Sequence, residues 1–182
     1  MSWTVRIQKI CRNHLPIEFW IRSVLDMTNP GFTLVRAAEA EVLPASGVTL
    51  LVDAPDTAGA LTSNRSRFDV GSAGAPPHFH TGAAELFLVL DGSLDVLLDE
   101  EIVTITAHDL LVVPAGMPHA FAPSAGRSAD VVFVYTPSRP RFDYYRLLER
   151  LYTGAADQRE LAESQDRFDN HHVDSAVWAA RA

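Results

Sequence analysis

The sequence predicts an all-β domain, a sandwich or barrel, followed by a helical tail. Three observations predict it. Between Phe32 and Thr136 the chain is written as short apolar runs rich in Val, Leu and Phe: Phe32–Ala37, Val48–Asp53, Ser66–Val70, Glu85–Leu90, Leu94–Leu98, Ile102–Ile105, Leu110–Val113, His119–Ala122 and Val131–Tyr135. Each is too short for a stable helix and suits a strand. Turn chemistry separates them: Asp91-Gly92, which reads as a hairpin, then Asp99-Glu100-Glu101 and Pro114-Ala115-Gly116. Helical spacing begins only after Pro140, where Phe142, Tyr145, Leu148, Leu151 and Tyr152 recur on one face.

The chain divides accordingly into an N-terminal arm (residues 1–31), a β-domain (32–136) and a helical tail (137–182). In the tail, Arg141–Tyr152 reads as one helix capped near Gly154, and Gln158–Phe168 as a second. The arm has its own composition, with the only lysine (Lys9) and four of the six isoleucines in its first 26 residues. One expectation is that translation starts at Met27; the plainer one is an arm that packs on the barrel or on a partner subunit.

A length of 182 residues, 47% hydrophobic and 21% charged, is that of a protein able to bury a core without staples. The net charge of −8 and the lack of a basic stripe argue against nucleic-acid binding. Cys11 is the only cysteine, which leaves no disulfide framework and no thiolate zinc site within one chain. No apolar run approaches the length of a bilayer span, and charges at Arg6, Lys9, Arg12, Glu18 and Arg22 interrupt any signal-like stretch. A cytoplasmic protein with no membrane contact is the default expectation.

The chemistry concentrates in Pro76-Pro77-His78-Phe79-His80, then Glu85. On a strand, residues i and i+2 share a face, so His78 and His80 can serve one metal ion. Glu85 lies an odd five positions beyond His80 and would face away on an unbroken strand. It joins the histidines only if the chain turns at Thr81-Gly82-Ala83-Ala84, and Gly82 offers backbone freedom for that turn. A fourth candidate, His119, opens a strand after the tight Pro114–Pro118 turn. Three imidazoles and one carboxylate, without thiolate, suit Fe, Mn, Ni, Co, Cu or Zn and can leave a coordination position open.

These residues resemble the two motifs of the cupin superfamily. The first family motif is matched from its first histidine onward by His78-x-His80, four residues, Glu85, six residues, Gly92; the second is matched by Pro114-x-Gly116, two residues, His119. Ser72, His108 and Pro123 stand where the family usually has Gly, Gly and Asn. The resemblance implies a jelly-roll β-barrel with one divalent transition metal per chain (Fe, Ni, Mn, Cu or Zn) held by His78, His80, Glu85 and His119. Glu85 is also the candidate catalytic base. Among the kinds of cupin it resembles are the quercetin-dioxygenase-like and polyketide-tailoring monocupins. That implies an oxidoreductase, a dioxygenase, acting on a small aromatic or polyketide-like molecule. The alternatives are a redox-neutral isomerase, cyclase or decarboxylase, and a non-enzymatic small-molecule-binding or sensing cupin. By the same analogy a homodimer is expected.

Strand parity adds Phe87 and Val89, in phase with Glu85, and Phe121, in phase with His119, as candidate substrate-pocket residues. Tyr135, with Phe133 beside it, is a further candidate on a neighbouring run. His108 reads as an exposed turn residue rather than a fifth ligand. His171 and His172 read as a surface helix end rather than a second metal site.

Overall fold

Most strands form where the runs of Val, Leu and Phe predict them, and their pairing builds two antiparallel sheets joined through one long strand. The structure is a computed structural model that describes residues 31–181. The N-terminal arm up to residue 30, the Met27 start included, lies outside the described residues. The strands are β1 (Val42–Leu43), β2 (Val48–Val52), β3 (Thr62–Phe68), β4 (Ala75–Phe79), β5 (Ala84–Leu98), β6 (Glu101–Thr106), β7 (Leu110–Val113), β8 (His119–Pro123), β9 (Ala129–Thr136) and β10 (His171–His172). One sheet runs β1-β2-β3-β9-β5-β7. The other runs β10-β4-β8-β5-β6. This is a jelly roll whose fifteen-residue β5 belongs to both sheets.

Three expectations are corrected here. Asp91-Gly92 is not a hairpin turn: β5 continues through it, with a register shift between Val89 and Asp91. Gly92 adopts φ +80°, and a Cβ there would lie 2.0 Å from the Ser128 carbonyl oxygen. The pair therefore makes a bulge at which the strand passes from the first sheet, opposite Ala129, to the second, opposite Thr106. Phe32–Ala37 forms no strand, and Phe32 and Leu34 are exposed. The second tail helix is broken at Ser164, which caps the end of one short helix and begins the next.

Between the sheets lies an apolar core that includes Leu50, Phe87, Val89, Leu94, Val96, Val131 and Phe133. Phe87, Phe121 and Phe133 form its aromatic centre, each pair 4.9–5.3 Å apart in tilted or edge-on geometry.

The tail helices are α1 (Phe142–Tyr152), α2 (Gln158–Glu163), α3 (Gln165–Phe168) and α4 (Ala176–Ala179). Helix α1 buries Tyr145 and Leu147. It is anchored to the β1–β2 turn by Glu149, whose carboxylate accepts from the Ala45 and Ser46 amides at 2.9 and 2.8 Å. After α3, the chain returns as β10 along the edge of β4. No helix among the described residues is long and apolar enough to cross a membrane.

Candidate metal centre

The four predicted ligands converge because three strand ends meet at one end of the barrel. His78 sits on β4 directly opposite His119, the first residue of β8. His80 follows the end of β4, the chain bends at Thr81-Gly82, and Glu85 enters β5 on the interior face. One ligating atom from each of His78, His80, Glu85 and His119 lies within 4.8 Å of the others. All four side chains are buried, Glu85 completely. The strand–turn–strand path from His80 to Glu85 is as the odd spacing requires. Its cause differs from expectation: Gly82 has no left-handed backbone, and the turn is held by hydrogen bonds that its amides donate to the tail.

The second motif contributes a second tie. The Gly116 amide donates to the His80 carbonyl at 2.7 Å, which joins the Pro114–Pro118 turn to the first histidine pair. His108, in a glycine slot of that motif, adopts φ +76° and is exposed, a turn residue as expected.

Hydrogen bonding on the far side of each ring decides what faces the centre. The Nδ1 atoms of His78, His80 and His119 lie 2.8, 2.5 and 2.9 Å from the carbonyl oxygens of Pro76, Asp169 and Met117. A carbonyl only accepts, so each Nδ1 carries a proton, and a ring in its neutral form offers the Nε2 lone pair inward. Glu85 Oε2 lies 3.1 Å from His80 Nε2 and 2.7 Å from His119 Nε2. Three imidazole nitrogens and a carboxylate packed this closely in a buried space call for positive charge among them, a proton or a metal ion, and the donor set fits a divalent metal ion.

The electrostatics agree with that charge distribution. Burial, reinforced by the neighbouring His119 and His80, pushes the His78 imidazole well below its usual range. Burial works against the Glu85 carboxylate, but its contacts with His119 and His80, hydrogen bonds when a proton rather than a metal ion lies between them, outweigh it and hold the group well below the ordinary carboxylate value. With no metal charge present, burial lowers His119, yet its bond to Glu85 outweighs that and leaves it raised.

Glu85 Oε1 is occupied separately. Tyr135, opposite Glu85 in the β5–β9 register, donates its hydroxyl to Oε1 at 2.8 Å, and the Tyr145 hydroxyl donates to that of Tyr135 at 3.2 Å. Burial, then the Glu85 charge, push the Tyr135 phenol well above its usual range and keep it a donor. The fully buried Arg141 guanidinium stacks over the Tyr135 ring at 4.0 Å.

Beside His78 lies a cavity of about 80 Å³ whose walls include Phe121, Tyr135, Tyr145 and Asn170. It shares Tyr144, Tyr152 and His172 with an outer cavity of about 370 Å³. Among the described residues, no Asp, Glu, Lys or Arg side chain lines either one. Of the candidate pocket residues, Phe121, expected from strand parity, and Tyr135, a candidate on the neighbouring run, line this space. Phe87 and Val89 face inward but do not line it, because they lie deeper along β5 and are packed into the closed core.

The tail contributions were not anticipated. Tyr145 read only as a packing residue, and Asp169–His172 as a surface helix end. His172 instead pairs with His78 on the edge of β4, with the two rings 6.5 Å apart. No local spacing marks these residues, since their contacts with the barrel are long-range.

Residues 64–135 match the family described as the cupin domain. The structure is similar to an RmlC-like cupin from Shewanella frigidimarina, with 19% identity, a TM-score of 0.50, and 63% of this chain and 96% of that one covered. It is also similar to KdgF from Halomonas sp., at 22% identity and a TM-score of 0.44, covering 51% of this chain and 82% of that one. A Streptomyces Pac13 variant with uridine aligns at 21% identity and a TM-score of 0.48, covering 62% of this chain and 88% of that one. Pac13 is described as a nucleoside dehydratase. None of the curated proteins matches the chain significantly.

Proposed function

We propose that residues 64–135, which match the cupin-domain family, form a cupin domain, and that the chain is a metal-dependent enzyme acting on a small, uncharged organic molecule, aromatic or polyketide-like. The observation that carries this reading is the inward convergence of three Nε2 lone pairs and the Glu85 carboxylate in a buried site. His78, His80, Glu85 and His119 would hold the ion. When bound, it supplies Lewis acidity and an open coordination position for a substrate oxygen or dioxygen.

The chain's own groups then have defined tasks. The cavity beside His78 admits a ligand to the centre, and the lack of ionic side chains among the described residues that line it disfavours a charged one, whose lost hydration they would not offset. Phe121, Tyr145 and the other walls exclude bulk water and offer a flat aromatic surface. Glu85 takes a proton from the substrate or returns one, and Tyr135 with Tyr145 stabilises its charge.

Dioxygenation is the first reading, because a three-histidine, one-carboxylate set suits the metals used for it. A specific observation favours a second one. The Tyr145–Tyr135–Glu85 hydroxyl chain runs from the cavity wall to the carboxylate and is suited to moving protons. A redox-neutral isomerisation, cyclisation or decarboxylation needs little else.

Elemental analysis of the wild-type protein beside His80→Ala tests the shared premise. About one transition-metal ion per chain in the wild type, lost in the variant, is the expected result. Metal absent from both, even after incubation with each ion, removes the enzymatic reading in favour of a ligand-binding barrel. With the metal bound, oxygen consumption with flavonoid-like and polyketide substrates separates the two chemistries: uptake that follows turnover marks a dioxygenase, and turnover without uptake a redox-neutral enzyme.

A further inference from the structure

We propose that Asp169, on the tail and outside both histidine-bearing motifs, is the positioning residue of the metal centre. The proposal rests on the metal-binding reading above and adds to it a named residue 89 positions from the ligand it controls.

Three observations carry it. First, the three ligand imidazoles are not held alike. His78 and His119 bond to carbonyls two residues back on their own chain segments, Pro76 and Met117. Only His80 depends on a distant carbonyl, that of Asp169.

Second, the Asp169 carboxylate holds the turn leading from His80 to Glu85. Oδ1 accepts from the Thr81 amide at 2.7 Å and the Thr81 hydroxyl at 2.6 Å, and Oδ2 accepts from the Gly82 amide at 2.9 Å. One residue therefore fixes the ring of His80 from behind and the backbone that sets the position of Glu85.

Third, Asp169 is itself built into place. It is buried and adopts φ +52°, a left-handed conformation that Asp, Asn and Gly tolerate better than other residues. Its amide and that of Asn170 both donate to the Gln165 carbonyl. On one side, the buried Arg141 donates to the Phe168 carbonyl at 2.9 Å; on the other, β10 is paired in register with Phe79 and His78.

The consequence is that a docked tail is part of the metal site. With the Asp169 carbonyl in place, His80 keeps its proton on Nδ1 and presents Nε2. Without it, the ring is free to rotate or to exchange tautomers, and the turn before Glu85 loses three hydrogen bonds. Loss of such an outer partner costs about 10–100-fold in metal affinity.

The test is titration of chelator-treated wild type, Asp169→Ala and Asp169→Asn with Co(II). The readouts are affinity by chelator competition, the visible absorption of the bound ion, and circular dichroism for the fold. Asp169→Ala keeps the backbone carbonyl on His80 but removes the carboxylate that holds the turn before Glu85, and it is expected to bind about 10-fold more weakly, with a changed Co(II) spectrum. Asp169→Asn keeps the left-handed backbone and one oxygen for Thr81, but turns an amide group toward the Gly82 N–H, and it should recover affinity only in part. A folded Asp169→Ala protein with wild-type affinity and an unchanged spectrum overturns the proposal, even if its melting temperature falls. Should Asp169→Ala not fold, Asp169→Asn decides: weaker binding or a changed spectrum supports the assignment, and wild-type behaviour in both overturns it. A wild-type protein that takes up no Co(II) would instead overturn the metal-site reading itself.

Discussion

A carboxylate that accepts hydrogen bonds from one turn stabilises the fold only while it is charged, and Asp169 shows this at the scale of a single residue. Burial raises its affinity for a proton, but the bonds from the Thr81 side chain and amide and from Gly82 outweigh burial and lower its pKa from 3.8 to about 2. A depressed folded-state pKa contributes stability that is fully present above the unfolded value and is lost as pH falls through the folded one. The shift corresponds to about 2 kcal/mol, present above pH ~4 and gone near pH ~2. In the metal-free protein, urea unfolding should therefore find wild type more stable than Asp169→Asn at pH 6, with the gap closing between pH ~4 and ~2. A gap that stays constant over that range would show that the charge of Asp169 is not what holds the turn. The same residue marks the limit of sequence reading at this scale. His78, His80, Glu85 and His119 were legible because their spacing follows from strand parity and two local turns. Asp169 and Tyr145 were not, because nothing local says that the tail folds back onto the end of β4.

Strands and turns show the same division between local and long-range information. Most strand positions followed from apolar runs between turn residues, and α1 from its helical spacing. Asp91-Gly92 read as a hairpin because a hairpin and a bulge ask for the same thing locally, a residue at ease with positive φ. What separates them is the partner. The β9 strand lies alongside this point, pairing Asp130 with Asp91 and Ala129 with Gly92, and it carries β5 straight on into the second sheet. Gly92 is therefore a hinge between sheets, and its lack of a side chain is required twice, by its φ of +80° and by the Ser128 carbonyl oxygen 2.0 Å from any Cβ. Gly92→Ala should destabilise the fold by about 2 kcal/mol or more, read as a lower urea midpoint with little change in slope. Because Glu85 and Leu98, the latter paired with His119, lie on opposite sides of this hinge, the variant should also bind metal less tightly. A wild-type midpoint would mean that β5 and β9 can part at Gly92 without penalty.

For the whole molecule, the outward face of the first sheet is a contiguous aliphatic surface. Leu86 and Leu88 on β5 lie opposite Val112 and Leu110 on β7, and opposite Val134 and Val132 on β9. Leu110 is 60% exposed and Val112 54%, on a strand that pairs only with β5 among the described residues. An apolar edge strand of this kind is an aggregation hazard unless something covers it. A second copy of the chain, packed face to face on the same surface, would satisfy it with one symmetric contact and would leave the barrel end that carries His78, His80, Glu85 and His119 untouched. Light scattering after size exclusion should accordingly report a dimer at micromolar concentration. The double variant Leu110→Glu/Val112→Lys should shift it to a monomer without changing metal content. A wild-type monomer would remove the second copy as the occupant of this face, whereas a dimer that survives both charges would place the interface on another surface. Retained metal in a monomeric variant would show further that each chain builds its centre alone, as expected for four ligands that all come from one chain.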